Sequence, residues 1–321
     1  MTLSPTHLII IAFLLAGPVL FWLIPLAAVK AIGTTRAPRR VVNYRGHPVP
    51  LGLGWAWFAW GLLAAVPLTG VWRPVDPDLG VLVSGVALLG WLDDRHGSAD
   101  VRGFRGHLAE LRRGRVTTGL LKLAGIAGLA LAVGYRLPGL RGDTAAGVVP
   151  RIGVWLVSAA VIALTANLVN LLDTRPGRAL KAYALLALPA EAAIAAGAIL
   201  ARHAPPWSLL FAFPAVFAVS GPVLACWRDD LGERAMLGDM GANAAGALAG
   251  WLMARALPLP GLAAAAIALL ALNLASERVS FSAVIERNSF LRWADGLGRL
   301  GHVGGEAQDG KEETEPQRPV G

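Results

Sequence analysis

Carboxylate and amide oxygens recur at three places in this chain in company that could do chemistry. The first is the run Gly-Trp-Leu-Asp-Asp-Arg-His-Gly, where Asp93 and Asp94 close an apolar stretch. Adjacent carboxylates at such a boundary need a positive partner, whether a metal ion, a group that holds substrate, or a neighbouring arginine. The second is the run from Asn167 to Lys181, in which Asn167, Asn170 and Asp173 lie three apart. That spacing sets all three roughly along one helix face. Two amides and a carboxylate offer the hard oxygen ligands that Mg²⁺ takes. Arg175, Arg178 and Lys181, just beyond, would suit an anionic phosphate. The third is Gly238-Asp239-Met240-Gly241, which opens another apolar run. It puts Asp239 at a helix N-terminus, where free N–H groups and the helix dipole favour phosphate. Each feature also has a plainer reading. The aspartate pair can cap a helix or pair with arginines, and the asparagines can bond neighbouring helices. The arginines can mark a cytoplasmic loop, and the small residues after Asp239 can serve close helix packing.

The elements that must position these groups are apolar. Of 321 residues, 55% are hydrophobic and 16% charged, whereas soluble globular chains have about a quarter charged. The apolar residues fall in repeated blocks of roughly 20, enough to cross a bilayer. The expected fold is an all-α integral membrane bundle of about nine transmembrane helices, at 7–29, 51–70, 79–92, 117–137, 151–172, 180–201, 206–226, 240–257 and 259–276. The first block is too long for the apolar core of a cleavable signal and is expected to remain as a helix. Most of the 29 Lys and Arg lie in alternate connections, 30–50, 93–116, 173–179 and 227–239, and after 276. The opposite side holds Arg73, Arg136, Arg141, Arg151, Arg202 and Arg255. The positive-inside rule then sets the N-terminus outside and the C-terminus in the cytoplasm, with all three polar motifs on the cytoplasmic face. In that setting the net charge of +8 speaks for orientation in a plasma membrane and against a nucleic-acid partner. The single Cys226 excludes an intramolecular disulfide.

Three regions follow: a transmembrane domain over 1–276, an amphipathic helix on the cytoplasmic surface over 277–303, and a disordered tail over 304–321. Residues 277–299 mix Val279, Val284, Phe290, Leu291 and Trp293 with charges, a pattern too polar to span and suited to an interface. No internal repeat marks an inverted-repeat transporter.

The three motifs, in this order, resemble those of the polyprenyl-phosphate N-acetylhexosamine-1-phosphate transferase superfamily (glycosyltransferase family 4), which includes the phospho-N-acetylmuramoyl-pentapeptide transferase. Its aspartate pair is similar to Asp93 and Asp94. Its Asn-x-x-Asn-Leu-x-Asp stretch matches Asn167, Asn170, Leu171 and Asp173, and its Gly-Asp-x-Gly matches Gly238, Asp239 and Gly241. Asn43–Gly54 resembles the family's first cytoplasmic loop, and Thr117–Lys122 the start of its fourth helix, with Lys122 the matching lysine. The likeness covers roughly residues 7 to 276.

This resemblance implies Mg²⁺-dependent transfer of a sugar-1-phosphate from a UDP-sugar to a polyprenyl phosphate, with release of UMP, in cell-wall or envelope polysaccharide synthesis. It implies Asn170 and Asp239 as metal ligands and Asp93, Asp94 and Asp173 as catalytic groups. It implies substrate contacts from Lys122, Asn167, Arg175 and Gly238, and leaves a homodimer open as the assembly. The chain departs from the family at Pro176, where a second acid is usual, and in offering only His302 where a histidine-rich loop is usual. Those departures keep a second reading in play, a relative that binds polyprenyl phosphate or a partner enzyme without turnover. A third reading, a transporter, would call for ionisable groups at mid-membrane depth, for which Glu191 is the main candidate.

Overall fold

The structure is a computed structural model that describes residues 19–33, 39–66, 76–97, 101, 103–137, 148–201 and 209–299. The described residues are all-α apart from one small hairpin and an isolated bridge between Leu51 and Met236. Helix α1 covers Val19–Ile32 and widens to a π-turn over Val29–Gly33. Strands β1 (Arg40–Val42) and β2 (Pro48–Pro50) pair antiparallel. Then come α2 (Gly54–Ala65), α3 (Pro77–His96), α4 (Gly103–Arg112) and α5 (Thr118–Gly134). They are followed by α6 (Val148–Leu172), α7 (Arg178–Ala201), α8 (Leu209–Leu231), α9 (Gly238–Ala256) and α10 (Leu259–Ser276). Two short helices close the described chain, α11 (Phe281–Arg287) and α12 (Ser289–Gly296).

Local chemistry sets several of these boundaries. Asp76 caps α3 by accepting the Asp78 N–H at 3.0 Å, with Pro77 in the first turn, where its missing N–H costs nothing. Thr117 caps α5 through the Leu120 N–H at 3.2 Å.

Helix α9 is the axle of the bundle. Every residue from Met240 to Leu252 is buried, and α9 packs against α6, α3, α7 and α2. Small side chains make this possible. A Cβ on Gly250 would stand 2.7 Å from the Ile162 Cα, and one on Gly246 would stand 2.5 Å from the Ala166 Cα, so the α6 and α9 backbones touch as in other small-residue helix pairs. The two contacts step four residues along each helix in opposite directions, which fixes an antiparallel register. One turn further on, the same register sets Asp239–Ala242 beside Asn170–Asp173.

Among the described residues, a helix occupies each of the nine apolar blocks. Three of these helices are long and apolar enough to cross a membrane, Arg151–Leu172, Arg178–Gly197 and Leu259–Ser276, consistent with membrane association. The others fall short for identifiable reasons. Helix α2 has 12 residues, α3 carries Asp78, Asp93 and Asp94, and α9 is built of Gly and Ala. The blocks also run on. Helix α3 continues past the aspartate pair to His96, and α8 continues to Leu231. The amphipathic segment is two helices rather than one, broken at Asn288, which caps α12 through the Leu291 N–H at 3.0 Å. The first twelve residues of the 7–29 block and the expected tail lie outside the described residues.

Candidate active site

Asp93 and Asp94 lie about 100° apart around α3, so they reach different neighbours. Asp93 turns to α5. Its Oδ1 accepts the Thr118 hydroxyl at 2.6 Å, and its Oδ2 lies 2.6 Å from Lys122 Nζ. Thr118 and Lys122 are one turn apart and share a helix face. Lys122 Nζ also lies 2.5 Å from Asp239 Oδ2, so one largely buried ammonium joins α3, α5 and α9. Burial raises the Asp93 carboxyl, but a proton shared with Asp239 and the hydrogen bonds from Lys122 and Thr118 outweigh it and hold the group below the usual range. Behind this contact, His107 of α4 bonds the capping Thr117 hydroxyl at 2.8 Å and steadies the start of α5.

Asp94 turns to α9. Its Oδ1 accepts the Asp239 N–H at 3.0 Å and its Oδ2 the Met240 N–H at 2.9 Å. Leu237, in the capping position of α9, makes no side-chain cap, so Asp94 caps that helix from another element. This corrects the expectation that free N–H groups at the start of α9 await a phosphate, because two of them are already given to Asp94. Gly238 makes the approach possible. Its φ is +64°, and a Cβ there would stand 2.8 Å from Asp94 Oδ2. Burial, and then the Asp239 charge, push the Asp94 carboxyl up to about 7. Arg39 donates to the Asp94 carbonyl.

Asp173 is pushed well above the usual range by burial and by the charges of Asp230, Asp239 and Asp94, while the Gly238 N–H works the other way. Asn170 lies half-buried one turn before it on α6. Asn167 does not join them. Its amide donates to Asn273 Oδ1 on α10 at 2.6 Å, and Asn273 in turn donates to the Leu164 and Leu269 carbonyls. Each step of three residues falls about 60° short of a full turn, so Asn167 and Asp173 diverge by about 120°. The substrate contact expected of Asn167 is replaced by a bond between helices.

The cations expected to meet phosphate also have partners within the protein. Arg175 lies 2.5 Å from Glu286 and 4.2 Å above the centre of the Tyr44 ring. Arg178 is buried and holds Asp295 through 2.9 and 2.8 Å bonds. Lys181 Nζ donates to the Ala294 and Asp295 carbonyls at 3.2 and 2.5 Å.

Several participants escape a motif reading. Asp230, near the end of α8, accepts the Gly177 N–H at 2.7 Å and is raised by burial to about 7. Glu233 collects Asn43, Tyr44 and Arg45 at 3.2, 3.0 and 2.9 Å, pinning the β1–β2 turn beside Asp173. The signal for both was the acid-rich run Asp229-Asp230-Leu231-Gly232-Glu233 in a loop otherwise judged by its arginines. Asn243 donates to the Asp239 carbonyl at 2.7 Å, while its buried Oδ1 lacks a partner.

Beside Asp94 opens a cavity of about 320 Å³ lined by Arg39, Arg95 and His96 and by Leu51, Trp91 and Met240.

The donors suit a hard cation. Asp239, Asp173 and Asn170 supply oxygens, and the carboxylates around Asp173 outnumber what Lys122 neutralises. Among the described residues no three His, Cys, Asp or Glu side chains converge to hold a metal ion. Compared with models of known protein families and with curated proteins, the chain matches none.

Proposed function

We propose that this protein transfers a sugar-1-phosphate from a UDP-sugar to a polyprenyl phosphate on the cytoplasmic side of a plasma membrane, as an Mg²⁺-dependent transferase of cell-envelope synthesis. The observation that carries the reading is the meeting of Asp93, Asp94 and Asp239, from separate motifs, around Lys122 and the start of α9. Asp173 and Asn170 adjoin them through the α6–α9 register. The reading places nine helices across the membrane, with the N-terminus outside and the C-terminus cytoplasmic, as the distribution of arginine and lysine directs.

In this reaction a lipid-phosphate oxygen attacks the sugar-linked phosphorus. The new P–O bond forms as the bond to UMP breaks, and UMP leaves as the anion. Little covalent work falls to the protein, which positions the phosphates and balances their charge. Asp239 and Asn170 would hold Mg²⁺, which when bound neutralises pyrophosphate charge. Lys122 would meet phosphate from its place between Asp93 and Asp239. Asp94, near 7, is matched to taking a proton from a monoprotonated lipid phosphate at neutral pH. The cavity beside it offers cations to a headgroup and apolar walls to the start of a hydrocarbon chain.

The test is release of radiolabelled UMP from a panel of UDP-sugars by purified protein with undecaprenyl phosphate and Mg²⁺. Asp94→Asn should fold and lose on the order of a hundredfold or more in rate, as for lost acid–base participation. Normal release by this variant removes Asp94 from the chemistry. A second reading, lipid binding without turnover, draws on the prior engagement of Arg175 and Arg178 by Glu286 and Asp295. It predicts no UMP release by the wild type with intact polyprenyl-phosphate binding.

A further inference from the structure

Residues 277–299 sort their charges. Each of the three acids of this segment has a partner elsewhere in the protein. Glu277 accepts the Phe104 N–H at 2.8 Å at the start of α4, Glu286 holds Arg175, and Asp295 holds Arg178. Thr174 and Arg178 also reach Ser282, at 3.1 and 2.8 Å. The segment thus clasps both the loop after α6 and the helix after the aspartate pair.

Its outward side is different. Arg278, Arg287 and Arg292 are exposed and alternate with exposed Val279, Val284, Phe290, Trp293 and Leu297. Phe290 and Trp293 are 67% and 60% exposed, with ring centres 5.7 Å apart. This face continues from α10, one of the three helices able to cross a bilayer, whose Ile267 and Leu274 are 70% and 62% exposed. A soluble partner on α11 and α12 would leave the apolar flank of α10 in water. A lipid surface covers both.

We propose that α11 and α12 dock on anionic lipid headgroups, with Phe290 and Trp293 inserted beneath them and Arg278, Arg287 and Arg292 among the phosphates. Aromatic side chains and basic residues at a helix edge are suited to that boundary. Docked in this way, the segment holds the 173–178 loop from the membrane side through Asp295 and Glu286. The inference rests on α10 lying in a bilayer, one part of the function proposed above, and is independent of the transfer chemistry.

The test uses the full chain in nanodiscs of phosphatidylcholine, with or without phosphatidylglycerol, and a fluorophore on Ser289→Cys, one turn before Trp293. Cys226 is fully buried and stays unlabelled. Each arginine near an anionic surface adds about fivefold to local partition, so an aqueous quencher should be at least about fivefold less effective in the anionic discs. Arg278→Gln, Arg287→Gln and Arg292→Gln together should abolish the difference. Equal quenching in the two discs overturns the proposal. A control label at Ile267→Cys should be protected in both discs, and quenching there overturns the bilayer placement of α10 along with the proposal. Protection that persists in detergent together with a dimeric mass assigns the face to a second copy and overturns it as well. UMP release is not read, so failure of the transfer chemistry leaves this result intact.

Discussion

Replacing Lys122 with methionine removes a cation that touches both Asp93 and Asp239 and leaves a side chain of similar reach. The two carboxylate oxygens contact the same nitrogen at 2.6 and 2.5 Å, so they lie at most about 5 Å apart. At an effective dielectric of about 20, each ammonium–carboxylate contact is worth about 6 kcal/mol and the carboxylate–carboxylate repulsion about 3 kcal/mol. Desolvation in the native protein offsets most of the attraction, and removing one partner of such a buried group costs about 3–5 kcal/mol. The loss depends on pH. Burial already raises the Asp239 carboxyl in the presence of the lysine, and without the lysine the folded-state pKa of the pair rises further above its unfolded value, because a proton relieves the repulsion. Stability from that proton is full at low pH and is lost as pH rises through the raised pKa. Lys122→Met should therefore cost about 1–2 kcal/mol at pH 5 and about 3–5 kcal/mol at pH 8. The assay is thermal unfolding in detergent across that pH range, with Asp239→Asn and the double variant completing a cycle. A coupling above about 1 kcal/mol between Lys122 and Asp239 is expected. A Lys122→Met protein as stable as the wild type at pH 8, or a cycle without coupling, refutes the bridging role.

Other outcomes follow from the same geometry. Asp94 and Asp230, both raised to about 7, contribute stability that is full below the ordinary carboxylate range and is lost as pH climbs through 7. The wild-type melting temperature should fall between pH 6 and 8, and Asp230→Asn, which keeps an acceptor for the Gly177 N–H, should flatten that fall. Asn167→Leu should lower stability by roughly 0.5–1.5 kcal/mol by leaving Asn273 Oδ1 without its donor, and Asn167→Leu with Asn273→Leu should recover most of it. A double variant no more stable than the single would break the pairing argument. Gly238→Ala should cost at least about 1 kcal/mol through its positive φ and its crowding of Asp94, read as a lowered melting temperature. An unchanged melt would contradict the close approach.

The positions of the helices were legible because apolar blocks and Pro or Gly breaks are local features of the chain. What each helix faces was not. Helix α9 reads as a weak span by composition, yet it is the most enclosed element because its Gly and Ala admit other backbones. The acids were legible as a set, and their partners were not. Asp93 and Asp94 look interchangeable in sequence, but the helical turn between them sends one to an ammonium and the other to a helix end. Asn167 failed as a site residue because its counterpart, Asn273, lies 106 positions away in a run otherwise read as plain membrane helix. The β1–β2 hairpin is closed locally, by Asn43 Oδ1 accepting the Arg45 and His47 N–H groups and by Gly46 at φ +86°, but Glu233, which holds its turn, comes from a distant loop.

The central place of α9 also constrains how the molecule is made. Synthesis delivers its neighbours α2, α3, α6 and α7 first, and α9 follows them. Until Gly238–Ala256 emerges, those helices surround a vacancy the width of a helix, and Asp94 has no backbone to cap. The contacts that Asp94 and Lys122 make with the start of α9 therefore form late, after the helices that carry those two residues have been made.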